Sequence, residues 1–273
     1  MYQAKRPFRR PAIFVIILVS LVLAACGVSG TNDNWPGLST DGEQVFVAYG
    51  DGVLAVDAAT GEQVWSFPEE ANPRLKFYAA PSEQDGRLFL GDYGASGGLL
   101  SPGIIVSVYA LMDDGQGSPE LLWQDSELVH DRIVAPMLQV GDQVIVSTAN
   151  NFVYALDAES GDLNWQFETG HAIWGQPAYK GDTLFITSLD KSIYAVDVKT
   201  GQEKWQQTFS GAIAGAPVVN ENLVYVANFD SKIHALDIET GAERWTAVAE
   251  GWIWGAPAYD NGELFYADAH GNV

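Results

Sequence analysis

The sequence contains little positive charge. It has 14 Lys and Arg residues against 35 Asp and Glu, which gives a formal net charge of −21. Four of the basic residues lie before residue 26, so the rest of the chain is more acidic still. Because this field repels a phosphate backbone, nucleic-acid binding is excluded from the expected functions. A solvated, aggregation-resistant surface is one interpretation of the charge, and an acidic face for a basic partner or for cations is the other.

Cysteine is almost absent, and Cys26, the only one, lies directly after a targeting signal. Basic residues from Lys5 to Arg10 precede an apolar run over 12–25, which is shorter than the roughly 20 residues of a membrane span and typical of a secretory signal. The small residues before Cys26 resemble the bacterial lipoprotein box. We predict a signal peptide over 1–25, a lipidated Cys26 that anchors the protein to a bacterial membrane, and a flexible tether over 26–33. An uncleaved anchor with a fortuitous cysteine is the alternative.

Motifs of common enzymes are missing as well. The sequence has no nucleophile elbow, no zinc-protease helix motif and no phosphate-binding loop. The histidines lie at no spacing typical of metal ligands; they are His130, His171, His234 and His270. We predict no catalytic residue, no metal and no cofactor.

One row of carboxylates is a weaker candidate for a cation site. Asp190 and Asp230 share a repeat position that His270 fills in the next repeat, with Asp268 two residues before it. Such a row either collects a cation or caps turns, and turn capping is the preferred interpretation.

Long helical patterns are absent, and a repeat of about 40 residues takes their place. The phrase Ala-(Leu/Val)-Asp-x-x-(Thr/Ser)-Gly-x-x-x-Trp occurs four times, and three copies are spaced by 40 residues. The repeated residues are Asp57, Gly61 and Trp65; Asp157, Gly161 and Trp165; Asp197, Gly201 and Trp205; Asp237, Gly241 and Trp245; and Trp123 in a degenerate copy. We expect the Asp to cap a turn, the Gly to supply a positive φ, and the Trp to pack between neighbouring sheets.

A second marker, Ile-x-Gly-x-Pro, recurs at 173–177, 213–217 and 253–257. Short runs of β-branched and aromatic residues lie between the markers and indicate strands separated by turns. We predict an all-β β-propeller over 34–273, with four-stranded antiparallel blades of about 40 residues. The expected blades cover 34–68, 77–126, 131–168, 171–208 and 211–248, and a truncated sixth begins at Gly251. Because the repeat is interrupted at Val273, we expect the chain to be a fragment of a longer product.

The repeated phrase Ala-x-Asp-x-x-Thr-Gly-x-x-x-Trp resembles the repeat of the pyrroloquinoline-quinone (PQQ) enzyme family, and the resemblance covers roughly residues 34–273. One branch of that family, the quinoprotein dehydrogenases, resembles this chain less, because its adjacent cysteine pair and calcium have no counterpart beside a lone Cys26. The other branch comprises lipoproteins similar to the barrel-assembly scaffold BamB, which use an exposed Leu-x-Leu-Arg type loop. The nearest sequence here, at 128–132, does not match that loop.

The resemblance implies a non-catalytic binding or scaffolding module, anchored on the periplasmic side of an outer membrane or on a cell surface. Its expected partner is another envelope protein, and outer-membrane protein assembly is one context. A PQQ-dependent, dehydrogenase-like quinoprotein and a surface sensor or adhesion module are the alternatives.

Candidate binding residues are the tryptophans outside the repeat position. Trp174 and Trp254 share one place in the second marker, Ala214 fills it in between, and Trp252 lies two residues before Trp254. By resemblance the marker is the innermost strand of a blade, which would put Trp252 and Trp254 on one strand face, at a mouth of the central channel. These rings either stack on a flat ligand or a peptide or pack between blades. The lengthened repeat between Pro81 and Pro136 is a second candidate, as a functional or a tolerated insertion.

Overall fold

A computed structural model describes residues 37–96, 104–115 and 117–273. The predicted signal peptide over 1–25, the lipidated Cys26 and the tether over 26–33 lie outside the described residues. No helix occurs in these described ranges, so none there is long and apolar enough to cross a membrane.

The fold is built from four-stranded antiparallel sheets, as the alternation of short strands and turns predicts. Sheet 1 contains β1 (Gly37–Thr40), β2 (Gln44–Tyr49), β3 (Gly52–Asp57) and β4 (Gln63–Phe67). Sheet 2 contains β5 (Ser82–Gln84), β6 (Arg87–Gly91), β9 (Val108–Met112) and β10 (Glu120–Asp125), with a short hairpin of β7 (Ala95–Ser96) and β8 (Ile104–Ile105) inserted after β6.

The next three sheets follow the 40-residue period. Sheet 3 contains β11 (Leu138–Val140), β12 (Gln143–Ser147), β13 (Phe152–Asp157) and β14 (Leu163–Glu168). Sheet 4 contains β15 (Ala178–Lys180), β16 (Thr183–Thr187), β17 (Ser192–Asp197) and β18 (Glu203–Thr208). Sheet 5 contains β19 (Val218–Val219), β20 (Leu223–Ala227), β21 (Lys232–Asp237) and β22 (Glu243–Val248), and a two-stranded pair, β23 (Ala258–Asp260) and β24 (Glu263–Phe265), follows it.

Each Asp-x-x-Thr-Gly phrase forms the turn between the third and fourth strands of a sheet. In sheet 3, Oδ1 of Asp157 accepts hydrogen bonds from the backbone N–H groups of Glu159 and Ser160, at 2.9 and 2.8 Å. Gly161 follows with a φ of 78°, which a residue with a side chain adopts only with strain. The backbone donors stabilise the carboxylate and lower the pKa of Asp157.

Four of the repeat tryptophans lie where consecutive sheets meet, whereas Trp245 of sheet 5 is 42% exposed. The indole N–H of Trp165 in sheet 3 donates to the carbonyl of Val198 in sheet 4, at 3.0 Å. A Cβ added to Gly201 of sheet 4 would lie only 2.7 Å from the same indole ring. Trp123 bonds to Ala158 and Trp205 to Ile238 in the same way. We call this junction the seam, and the hydrophobic core consists of such layers between sheets.

The Ile-x-Gly-x-Pro marker is not a strand, so this expectation was wrong. Residues 170–177, 210–217 and 250–257 form connecting segments that lead from one sheet into the first strand of the next. Their backbone bonds to hairpins instead of a ladder, since Ile173 N–H donates to the carbonyl of Thr148 at 3.2 Å. The prolines end each marker without an N–H group, and the first strands begin directly after them.

The connecting segments pack closely against each other. A Cβ added to Gly175 would lie 2.6 Å from the backbone nitrogen of Ala216 in the next segment. A Cβ on Gly215 would lie 2.6 Å from the carbonyl carbon of Gly255 in the segment after that. The marker glycine is therefore required for backbone-to-backbone contact between successive segments.

Candidate functional site

Three of the predicted binding residues lie together in one aromatic group. The ring centroids of Trp174 and Trp254 are 5.8 Å apart, and those of Trp252 and Trp254 are also 5.8 Å apart. Phe229 joins them, at 5.3 Å from Trp254 and 5.4 Å from Trp252. We call these four rings the aromatic patch.

The patch is open to solvent although its rings contact each other. Trp174 is 40% exposed, Trp252 45% and Trp254 44%. The isoleucines beside them point the other way, since Ile173 is fully buried and Ile253 only 1% exposed. The connecting segments therefore bury their isoleucines and present their tryptophans outward.

Ala214 explains how rings from non-adjacent segments meet. Trp174 and Trp254 belong to the segments on either side of the one that carries Ala214 at the same position. The side chain of Ala214 is small and only 6% exposed. A large residue there would compete with the contact between the two indoles.

Phe229 is a member of the patch that the sequence reasoning missed. It lies in the hairpin between β20 and β21, and its N–H donates to the carbonyl of Ala212 at 3.0 Å. The equivalent Ala269 donates to the carbonyl of Trp252 at 2.9 Å. These bonds fix each hairpin to the connecting segment beside it. Its repeat position could have pointed to it, because Leu189 and Phe229 occupy the same place in consecutive repeats and both are large and apolar.

The predicted carboxylates accept hydrogen bonds from the first residues of the connecting segments. Oδ2 of Asp190 accepts the N–H of Gly170 at 2.6 Å and the hydroxyl of Tyr194 at 2.6 Å. Burial, with Asp190 beside the phenol, raises the pKa of Tyr194 to about 12. In the next sheet, Asp230 accepts a hydrogen bond from the hydroxyl of Ser210 at the start of the following connecting segment.

Asp268 repeats the same arrangement in the last hairpin. Its Oδ2 accepts the N–H of Gly251 at 3.1 Å. Hydrogen bonds, chiefly from the Asn272 side chain, lower the pKa of Asp268 to about 2. The described residues contain no group of three or more histidines, cysteines or carboxylates that could hold a metal ion.

The lengthened repeat departs from the others chiefly in the hairpin after β6, and also in the turn before β10, since Ala110 pairs with Trp123 where Ala155 pairs with Trp165. Asp92 N–H donates to the carbonyl of Ser107, as Thr148 N–H does to Phe152 in sheet 3. The numbering places 14 residues between the first pair and 3 between the second. The insertion therefore occupies the same kind of hairpin that carries Phe229 in sheet 5.

Asp92 is a buried acid at the base of this insertion. It is 2% exposed, and its Oδ1 accepts the N–H of Gly94 at 2.7 Å. Burial raises the pKa of Asp92 to about 6 because desolvation penalises the charged form. Tyr93 next to it packs edge-on against Tyr78, and the guanidinium of Arg132 lies 5.0 Å from the Tyr93 ring centroid.

Comparison with known proteins identifies the repeat. Residues 153–273 match the PQQ-type family model described as "Outer membrane protein assembly factor BamB". The structure of BamB from Moraxella catarrhalis superposes with a TM-score of 0.67 at 21% identity, over 86% of this chain and 70% of that one. No curated protein matches the chain by sequence.

A designed protein shows how far the structural likeness reaches. The computationally designed Ika8 protein superposes with the same TM-score of 0.67 at 17% identity, over 84% of this chain and 70% of its own. At such identities, superposition shows the fold alone. The repeats are thus of the PQQ type and similar to those of BamB, and the all-β fold is a β-propeller of that kind.

Proposed function

We propose that this chain, with its PQQ-type repeats similar to those of BamB, is a non-catalytic binding module of the cell envelope that holds a partner protein at the aromatic patch. The patch carries the proposal. Its three tryptophans are exposed, Trp254 contacts the other two, and all three come from elements fixed by backbone hydrogen bonds. Clustered exposed aromatic rings on a rigid scaffold are typical of protein interaction sites.

The family-model match supports an envelope location and a role in outer-membrane protein assembly. The proposed envelope location also includes a signal peptide over 1–25 and lipidation at Cys26. The acyl chains would hold the module at the periplasmic side of the outer membrane or at a cell surface without a spanning helix. Mass spectrometry of the mature protein should find Cys26 as the first residue, bearing acyl chains. A Cys26→Ala variant that stays membrane-attached would contradict this part of the proposal.

Site-specific photo-crosslinking in native membranes tests the partner site. A photoreactive residue replaces Trp252 or Trp254 in turn, and the control position is Lys199, an exposed residue in the Asp197 turn. We expect one discrete envelope protein to crosslink from both patch positions and not from Lys199. Equal yields at all three positions would remove the patch as the site.

A dehydrogenase assay addresses the enzymatic alternative. The full-length protein is given PQQ, calcium, an artificial electron acceptor and either an alcohol or a sugar. We expect no reduction of the acceptor above the rate of quinone alone. Calcium-dependent turnover would overturn the assignment of a non-catalytic module.

A further inference from the structure

We propose that the aromatic patch binds an extended, positively charged peptide segment, with an arginine or lysine side chain held against the indole rings. This inference rests on the proposed function, because it names the chemistry of the partner at the same site. It is carried by the ring geometry, the free indole donors and the charge of the surrounding elements.

The rings form an open corner. The planes of Trp252 and Trp254 stand at 64° to each other, and Trp252 stands at 75° to Phe229. Trp254 is tilted by only 39° from Trp174 and 29° from Phe229. Proteins hold cationic groups between aromatic rings set at a steep angle to each other, since the electron-rich ring faces attract the positive charge.

The indole N–H groups of the patch make no hydrogen bond to a described residue. At the seams, Trp123, Trp165 and Trp205 each donate to a backbone carbonyl. Trp174, Trp252 and Trp254 have no acceptor within the described part of the chain. A ligand that supplies carbonyl acceptors beside its cation would satisfy these donors, and a peptide backbone does so.

The patch is long enough for several residues. Two steps of 5.8 Å separate the ring centroids along the path from Trp174 through Trp254 to Trp252. An extended chain advances about 3.3 Å per residue, so three or four residues would follow this path. A small cation such as ammonium would use only one part of it.

The charge of the surrounding elements favours a cationic ligand over an anionic one. Asp190 and Asp230 lie in the hairpins that hold the connecting segments, and Glu250 is exposed at the start of the segment that carries Trp252. Lys191 and Lys232 offset part of this charge, and the chain as a whole carries −21. An acidic field raises the local concentration of basic ligands and repels acidic ones.

Fluorescence anisotropy with labelled heptapeptides tests the proposal on the full chain. One peptide alternates arginine with leucine, and matched peptides carry glutamine or glutamate at the arginine positions. We expect the arginine peptide to bind at least tenfold more tightly than the glutamine peptide, and the glutamate peptide to show no binding. Equal affinity for the arginine and glutamine peptides would overturn the inference.

Single substitutions locate the binding on the protein. Trp252→Ala and Trp254→Ala should each weaken binding of the arginine peptide about tenfold. Trp245→Ala is the matched control, because Trp245 is similarly exposed at 42% but lies outside the patch. A loss as large for Trp245→Ala as for Trp252→Ala would show nonspecific binding and overturn the proposed site.

The two proposals can fail separately. Crosslinks to an envelope protein without an arginine preference would retain the binding module and refute the cationic peptide. A patch-dependent arginine preference without crosslinks above those at Lys199 would retain the ligand chemistry and refute the partner site in the envelope.

Discussion

The seams between sheets and the aromatic patch both depend on tryptophan, but the rings differ in exposure and in the use of the indole N–H. Trp165 at a seam is 8% exposed and donates to Val198 in the next sheet. Trp252 in the patch is 45% exposed and donates to no described residue. The difference in exposure follows from what each ring faces. A seam ring faces a glycine turn that leaves room for it, whereas a patch ring faces other rings and solvent.

This contrast shows that residue type alone does not separate structure from function in a repeat. The seam tryptophans Trp165 and Trp205 are 40 residues apart, and Trp174 and Trp254 share one repeat position two periods apart, so a repeated position does not by itself mark a structural ring. What distinguishes the two sets is how far the ring is buried and whether its indole N–H is bonded within the fold. A buried ring with a bonded N–H stabilises the fold, and a ring that is 40% or more exposed with an unbonded N–H is available to a partner.

The largest expected effect comes from truncating a seam ring. Trp165→Ala removes a buried indole together with its hydrogen bond, and such truncations cost ~3–5 kcal/mol. Equilibrium urea unfolding followed by circular dichroism measures the free energy of unfolding. A loss below about 1 kcal/mol, the size expected at an ordinary surface position, would mean that the seam does not hold the sheets together.

A methyl group on the glycine that faces this ring should have the next largest effect. In Gly201→Ala the new Cβ would lie 2.7 Å from the Trp165 ring, and φ is 71°. Gly181→Ala is the matched control, with a φ of 62° and nothing within 4 Å of its Cβ. The control should lose about 1–2 kcal/mol through backbone strain. Gly201→Ala should lose about 1–3 kcal/mol more through overpacking.

A double mutant sharpens this second prediction. When Trp165 is already alanine, the space in front of Gly201 is empty, and the excess cost of Gly201→Ala over Gly181→Ala should disappear. An excess that persists in the Trp165→Ala background would show that the ring is not its cause.

Asp92 should make the lengthened sheet 2 sensitive to pH. Its pKa is about 6 in the folded protein and 3.8 without the fold, so the folded state binds more protons between these values. Stability from this group is therefore present below pH 4 and is lost as the pH rises through 6. Asp92→Asn should stabilise the protein by about 1–3 kcal/mol at pH 7.5 and leave the free energy of unfolding unchanged at pH 4.

A turn carboxylate serves as the control, because its contribution to stability should depend on pH in the opposite direction. The side chains of Arg244 and Thr240 lower the pKa of Asp237 to about 2. Its contribution is present above its ordinary pKa of 3.8 and is lost as the pH falls through 2. Asp237→Asn should therefore destabilise the protein at pH 7.5. The same sign for both variants at this pH would refute the assigned environments.

The regular sheets could be predicted from sequence because the residues that form each turn lie within one short segment of the repeat. The capping carboxylate of Asp157 and the positive φ of Gly161 act within one turn, so their effect is visible in a short phrase. The Ile-x-Gly-x-Pro marker was wrongly expected to be a strand, and it forms a connecting segment instead. Its backbone partners are hairpins of two different sheets, and sequence spacing does not show that competition.

The patch could be predicted only in part. Trp174, Trp252 and Trp254 stand out as tryptophans away from the repeat position, and the structure brings them together. Phe229 was missed because it lies in a different hairpin and meets Trp254 only after the sheets have stacked. The buried state of Asp92 depends in the same way on the three-dimensional packing of an irregular hairpin.

The smallest expected effect on stability belongs to the patch itself. Trp252→Ala removes a ring that is 45% exposed and bonds through its indole N–H to no described residue. It leaves the backbone bond from Ala269 to residue 252 in place, since that bond uses the carbonyl of the main chain. The free energy of unfolding should fall by less than about 1 kcal/mol, as for other substitutions away from buried contacts. If Trp252→Ala unfolds as readily as Trp165→Ala under the same urea titration, the patch is part of the core and the comparison between the two regions fails.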